Sequence, residues 1–371
     1  MLFAHIADTH LGYRQYNLDE REEDFYRSFR EAVDRIIDEG CRFVVHSGDL
    51  FDEPRPHVKA LVVVREELER LREEGIKFYC IAGNHDLLMR SGAVPPHRLY
   101  PEMEFLTPKK PARVHGDVLI AGLPYFSKLH SRVLLERLAE LEKLAERHRR
   151  SVLLLHQGID RYLGVGYELR MNELPAGFSY YALGHVHKPL LDSYAGGIVA
   201  YPGSTEVWRG DEIEVYEKMG KGFYLADTEA KEPEEVEWVK LKSVRRFVKL
   251  RVSSEEELEA LPEPGDGKPV VRLELQCRTE SFQRLYSEVM RRLADRVLYV
   301  DVRRLSQEEE RRASPAKGLD VYELLGSYLR ERSEAERSFA AELLRLLEDG
   351  RTEDAVKVAE EFFSRRWGGG R

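Results

Sequence analysis

Aspartate, asparagine and histidine recur in this chain at the ends of short apolar runs. Residues 3–7 lead into Asp8-Thr9-His10, and Val44-Val45-His46-Ser47-Gly48 leads into Asp49. Ile81-Ala82-Gly83 leads into Asn84-His85-Asp86, residues 152–155 into His156, and residues 181–183 into Gly184-His185-Val186-His187. A buried parallel strand delivers ligands in this way from its carboxyl end, where open α/β sheets place their sites. The chain has 12 histidines, so five such endings in series point to a shared site rather than to scattered surface or core residues. Oxygen and imidazole donors without thiolate suit manganese, iron or zinc. A central carboxylate such as Asp49 can bridge two ions ~3.5–4 Å apart, an arrangement that holds a phosphate and generates hydroxide for in-line displacement. The chemistry expected from these residues is phosphoester hydrolysis. Ser47 stands beside Gly48-Asp49, but no oriented histidine base can be named for it as a nucleophile, and no glycine-rich phosphate loop is present.

Strands and helices must alternate to position this set. After the Asp8/His10 strand, Phe25, Phe29, Ala32, Val33 and Ile36 recur at helical spacing over residues 21–39, and Gly40 ends the helix. Pro54 and Pro56 break the chain before a second helix over residues 57–74, which Gly75 ends ahead of the Asn84/His85 strand. Residues 114–123 read as one strand and 129–149 as an amphipathic helix. The His156 and His185/His187 strands follow, then strands at 198–201 and 222–226 joined by a charged loop over 209–221. The order predicts an α/β fold, a two-sheet sandwich flanked by helices, over residues 1–240.

At 371 residues the chain has room for two or three domains. Charged residues make up 34% of it but the net charge is only −9, so any nucleic-acid surface must be a local basic patch on an acidic body. Three scattered cysteines, Cys41, Cys80 and Cys277, suggest reduced thiols and a cytoplasmic protein. No apolar run approaches the ~20 residues of a membrane span, and a cleaved leader would remove Asp8.

Residues 241–305 change rhythm. Alternating apolar runs around Val248–Val252, Val271–Leu275 and Leu298–Val302 are separated by helical patterns at 255–261 and 281–294, which predicts a small α+β unit. Residues 306–317 are polar and contain Pro315, as a linker would. Residues 318–371 carry apolar positions at helical spacing, among them Leu325, Phe339, Leu343, Val358 and Phe362. Such a tail either packs on its own body or docks a partner helix.

The motifs D-x-H, GD-x-x-D, GNHD, H and GH-x-H, in this order, resemble the calcineurin-like metallophosphoesterases. Phe3–Gly12, Gly48–Phe51, Leu155–Gly158, Tyr180–His187, Tyr201–Ser204 and Lys221–Tyr224 resemble one branch of them. It is the DNA double-strand-break repair nucleases, called SbcD in bacteria and meiotic-recombination-eleven in archaea and eukaryotes. The resemblance implies one manganese held by Asp8, His10, Asp49 and His187 and a second held by Asp49, Asn84, His156 and His185. It implies His85 as the catalytic residue that is not a ligand, with the Asp52 carboxylate paired to it. Archaeal members of that branch often carry histidine where this chain has Asp52. The resemblance further implies exonuclease and endonuclease action on DNA, and a homodimer through segments near 57–74 and 94–105. Residues 241–305 would cap the site, and helices within 318–371 would grip the coiled coil of an SMC-like ABC-type ATPase. Arg90, four residues after Asp86, is the first candidate for DNA contact, followed by Tyr13, Arg14 and Arg98.

Two other readings compete. A phosphomonoesterase or nucleotide phosphodiesterase would share every ligand but would not need the last ~130 residues. A DNA-end scaffold with a vestigial site fits poorly with a complete ligand set.

Overall fold

The computed structural model describes residues 1–87, 94–163, 167–254, 257, 267–276 and 279–304, together with 333, 336, 339, 340, 343, 358, 359 and 362. Residues Met1–Arg304 form one compact unit and Leu305–Arg371 a second.

The first unit opens with β1 (Leu2–Ile6), α1 (Asp19–Asp38), β2 (Phe43–His46), α2 (Val58–Glu73), β3 (Lys77–Cys80) and β4 (Met103–Phe105). Next come β5 (Ala112–His115), β6 (Val118–Leu123), α3 (Ser131–Ala145), β7 (Arg150–His156), β8 (Tyr180–Gly184), β9 (Leu190–Tyr194) and β10 (Gly197–Tyr201). α4 (Ile213–Met219), β11 (Gly222–Asp227) and β12 (Glu237–Lys240) complete the main body. Two six-stranded sheets result, ordered β12-β11-β1-β2-β3-β4 and β5-β6-β7-β8-β10-β9. Within them β1, β2 and β3 run parallel, as do β6, β7, β8 and β10.

Side-chain alternation assigns the faces. On β2, Val44 joins a core with α1 and α2 that includes Phe29, Val33, Val63 and Leu68, while Phe43 and Val45 turn the other way. On β7, Leu153 and Leu155 pack with Leu134 and Leu138 of α3, while Val152 and Leu154 face Phe43 and Val45 from the opposite sheet. Both faces of each sheet are thus covered, and the strands read as unbroken apolar runs. The architecture is a sandwich of two sheets between outer helices. It aims the loops after β1, β2, β3, β7 and β8 at one common region.

A third sheet consists of β13 (Phe247–Val252), β14 (Val270–Leu275) and β15 (Tyr299–Arg304), all parallel, with α5 (Thr279–Leu293) crossing between the last two. Its own core holds Leu273, Leu285 and Val289. A buried network ties it to the main body. Arg21, fully buried, donates to Gln15 Oε1 at 2.8 Å and Asp24 Oδ2 at 2.5 Å, and its guanidinium lies 4.9 Å from the Phe247 ring centroid. Arg245 reaches the same Asp24 carboxylate at 2.9 Å.

Three local expectations are corrected. Residues 114–123 are the hairpin β5–β6 rather than one strand, because Gly116 adopts φ +60° between them. The charged stretch 209–221 is not a plain loop: Gly210–Glu212 is one 3-10 turn and α4 follows, its end marked by Gly220 at φ +82°. Residues 237–240, where the sequence pattern named no strand, extend the first sheet as an edge strand through pairs such as Phe223 with Val239. The expected helix over 255–261 falls almost wholly outside the described residues, as do the linker and most of the tail. Cys41 and Cys80 are free and buried, as expected, and Cys277 is outside the described set. Within the second unit, Phe339 stacks on Phe362 at 4.0 Å between centroids. No described helix is long and apolar enough to cross a membrane.

Candidate metal centre

Four of the expected ligands sit in strained backbone at the carboxyl ends of their strands. Asp8, His10, Asp49 and His185 have φ of 51°, 43°, 53° and 87°. Left-handed backbone in non-glycine residues is uncommon, and where packing enforces it the position is often functional. The flanking glycines are required by crowding. A Cβ on Gly83 would stand 2.1 Å from Asp49 Oδ1, and one on Gly48, itself at φ +91°, would stand 2.5 Å from His156 Nδ1. Each loop can therefore approach its neighbour only as glycine.

The side chains meet at short range. His10 Nε2 lies 3.2 Å from His187 Nε2, and His156 Nε2 lies 3.1 Å from both Asp49 Oδ2 and Asn84 Oδ1. His185 Nδ1 is also 3.1 Å from Asn84 Oδ1, and Asp8 Oδ1 is 3.6 Å from His187 Nε2. Asp49 bridges the two groups, with Oδ2 3.9 Å from His10 Nε2. Its Oδ1 is taken by the His85 peptide N–H at 2.8 Å.

The outward-facing imidazole nitrogens show which ring atoms are left to face the cluster. The Nδ1–H of His156 donates to the Ser47 carbonyl at 2.7 Å, and that of His187 to Glu212 Oε1 at 3.0 Å. His10 Nδ1 is 3.2 Å from Asp52 Oδ1, within ion-pair range but without hydrogen-bond alignment. In each ring Nε2 is then the atom turned toward the cluster, and in His156 and His187 the other nitrogen is anchored, as in histidine ligands. Two Nε2 atoms 3.2 Å apart with a carboxylate beside them are a donor set that fits a cation. The residues present fit divalent metal ions.

Electrostatics agree. Burial would lower His187, but Glu212 and then Asp8 outweigh it and raise its pKa to about 10. His156, also against burial, is raised to about 9, chiefly by Asp49. Asp49 and Asp8 are held below the usual carboxylate range despite burial, by His156 and by His187 respectively. His185, lowered to about 4 by burial and by His156, is neutral at pH 7. His5 and His46 are buried beneath the cluster and lowered to about 3, mainly by burial. They serve as neutral struts: His5 Nε2 lies 3.0 Å from Ser47 Oγ, and His46 Nε2 3.1 Å from Thr9 Oγ1.

The expected bond between the Asp52 carboxylate and His85 takes another form. His85 Nδ1–H donates to the main-chain carbonyl of Asp52 at 2.8 Å, while the carboxylate is 3.9 Å away. The carboxylate instead accepts from Trp208 Nε1–H at 3.0 Å and lies beside His10. Residues 49–52 run beside His10 and Leu11, with the His10 N–H donating to the Asp49 carbonyl at 3.1 Å and the Asp52 N–H to the Leu11 carbonyl at 3.2 Å.

All of the expected ligands converge, and the cluster opens into a depression of about 300 Å³ walled in part by Tyr162, Lys188, Trp208, Arg209 and Glu212. Among the residues considered for DNA contact, the Tyr13 ring meets Trp208 at 5.7 Å between centroids. Arg14 pairs with Asp19 at 2.7 Å and Arg98 is exposed in the turn Pro96–Leu99. Arg90 lies outside the described residues. Sequence reasoning gave no role to Trp208 and Glu212. Trp208 lies flat on His10 at 4.8 Å, and Glu212 is 3% exposed. The one signal for Glu212 was an acidic residue three positions after Arg209, just ahead of apolar Ile213.

Residues 1–189 match the calcineurin-like phosphoesterase family. The chain is 45% identical over 229 residues to the DNA double-strand break repair protein Mre11 of Methanocaldococcus jannaschii, covering 61% of this chain and 62% of that one. It thus spans under two thirds of that relative's length. The Mre11 protein of Sulfolobus acidocaldarius is 35% identical over 289 residues, 74% of this chain and 75% of the other. That of Archaeoglobus fulgidus is 30% identical in an alignment that covers 98% of this chain and 85% of the other. By fold, ligand order and these likenesses, the chain belongs to the calcineurin-like phosphoesterase family and groups there with the archaeal Mre11 double-strand break repair proteins.

Proposed function

We propose that the chain is a manganese-dependent phosphodiesterase that cuts DNA at broken ends, as a double-strand exonuclease and single-strand endonuclease. One observation carries this reading: donor atoms from both sheets converge, with the anchored imidazoles of His156 and His187 turning Nε2 toward Asp49 and Asp8. Asp8, His10, Asp49 and His187 would hold one ion, and Asp49, Asn84, His156 and His185 the other. Two such ions supply Lewis acidity and a hydroxide nucleophile at neutral pH. The protein supplies the rest. His85, anchored through Nδ1, presents its other nitrogen to protonate the leaving oxygen. Asp52 steadies His10 and Trp208. Lys188 and Arg209 at the rim of the depression give a local positive edge for a phosphate backbone on an otherwise acidic protein. Tyr13, Arg14 and Arg98 extend the candidate DNA surface, and Arg90 is a further candidate for DNA contact from the sequence alone.

The same reading assigns residues 241–305 to a cap over DNA, 306–317 to a linker, and 318–371 to docking an SMC-like ABC-type ATPase in the cytoplasm. A homodimer is supported by an apolar patch: Val58, Val62, Val94 and Leu99 are 75%, 46%, 69% and 54% exposed. Tyr100 O–H donates to the Leu61 carbonyl at 3.1 Å and ties the two contributing segments together. The test is hydrolysis of p-nitrophenyl phosphate and of its bis-ester with manganese. A phosphodiesterase is expected to prefer the bis-ester, and a strong preference for the monoester would favour a phosphatase instead.

A further inference from the structure

We infer that Glu212 is a positioning residue for one metal position, that of Asp8, His10, Asp49 and His187, and leaves the other to different anchors. The inference rests on the metal reading above and concerns residues outside the ligand set. Glu212 Oε1 accepts the His187 Nδ1–H at 3.0 Å and the Arg209 peptide N–H at 2.9 Å. Its Oε2 accepts from the buried Lys221 ammonium and from the Trp208 peptide N–H at 3.3 Å, with Ser204 Oγ 3.0 Å away. Lys221 also donates to the His187 carbonyl at 3.1 Å. A buried carboxylate is stable only when paired and hydrogen-bonded, and here every partner is either His187 or the segment 204–221.

Two routes lead from this one carboxylate to the same metal position. Directly, it fixes the His187 tautomer and ring direction, the task of outer partners at metal sites. Indirectly, by holding the peptide groups of Trp208 and Arg209, it places the Trp208 indole flat on His10, with centroids 4.8 Å apart and rings 19° from parallel. The indole N–H in turn holds Asp52 Oδ1, which lies 3.2 Å from His10 Nδ1. Both histidines of that position thus depend on Glu212. The second position is anchored elsewhere: His156 through the Ser47 carbonyl, and His185 against Asn84 with Glu168 Oε2 3.9 Å away.

Manganese titration of the full chain, followed by calorimetry and by the paramagnetic signal of free ion, tests this. Glu212→Gln with Lys221→Met removes the charge pair together, so no buried ammonium is left unpaired. The double variant is expected to melt as the wild type does without metal. One manganese should bind about 10- to 100-fold more weakly, with the other unchanged. Two ions bound with wild-type affinities, or both weakened equally, would overturn the inference. Should that variant fail to fold, Glu212→Asp, which keeps the charge but withdraws it from His187, must show the same one-sided loss; unchanged affinities would overturn it. A wild type that binds no manganese would overturn the metal reading itself, an outcome distinct from a wild type with two ions and an unaffected variant.

Discussion

His85 is held by the Asp52 peptide carbonyl at 2.8 Å, so Asp52→Asn leaves that anchor in place and acts through His10 and Trp208. His85→Ala is expected to retain two metals and lose ~10²–10⁴-fold in turnover. Asp52→Asn should instead weaken metal binding, and the losses should roughly multiply in the double variant when kcat is measured on the bis-ester. A double variant no worse than His85→Ala would show that the pair acts as one unit. The raised pKa values give a second outcome. At pH 7 both His156, at about 9, and His187, at about 10, carry protons in the metal-free protein. Ligation needs neutral imidazole, so metal uptake should release about two protons per chain and tighten as pH rises from 7 toward 10. Calorimetry in buffers of different ionisation enthalpy measures this, and uptake without proton release would contradict it. The ligands themselves were legible because each ends an apolar run. Glu212 was not, since its one local signal, a place three residues after Arg209 and just ahead of Ile213, does not separate a buried glutamate from a solvated one.

At the scale of elements, α2 shows what periodicity can and cannot resolve. Its run of apolar residues exceeds one core-facing stripe, which is what the proposed dimer face would require. The structure assigns the excess: Val63 and Val64 are buried in the core, Leu61 packs partly against it, and Val58 and Val62 are exposed. A charge at Val58 or Val62 is therefore a cleaner probe than one at Leu61. Val58→Glu with Val62→Glu should split a dimer, leave folding intact and weaken DNA binding more than bis-ester hydrolysis. A monomeric wild type in sedimentation would count against the interface. Long buried strands and amphipathic helices were readable in the same way. The edge strands β9 and β12 were not, because partly polar edges such as Leu190–Tyr194 and Glu237–Lys240 lack an apolar run. The β5–β6 hairpin was hidden by apolar residues on both sides of Gly116.

At the scale of the whole molecule, the chain divides after Arg304 into two compact units, and the candidate site lies wholly in the first. Ending the chain at residue 306 should leave manganese-dependent cleavage of short DNA intact and abolish co-purification with the ABC-type ATPase. A truncated protein that still binds the ATPase fully would refute the docking role of 318–371. Sequence alone could order these parts but not join them, since contacts such as Arg245 with Asp24 bridge residues far apart in the chain. The most direct test of a DNA-cutting two-metal centre is incubation of the purified chain with a blunt DNA duplex and manganese, beside Asp49→Ala and a chelated control. Progressive shortening of the duplex only with manganese and only with Asp49 intact is predicted; an uncut duplex with the wild type, or equal cutting by Asp49→Ala, would contradict it.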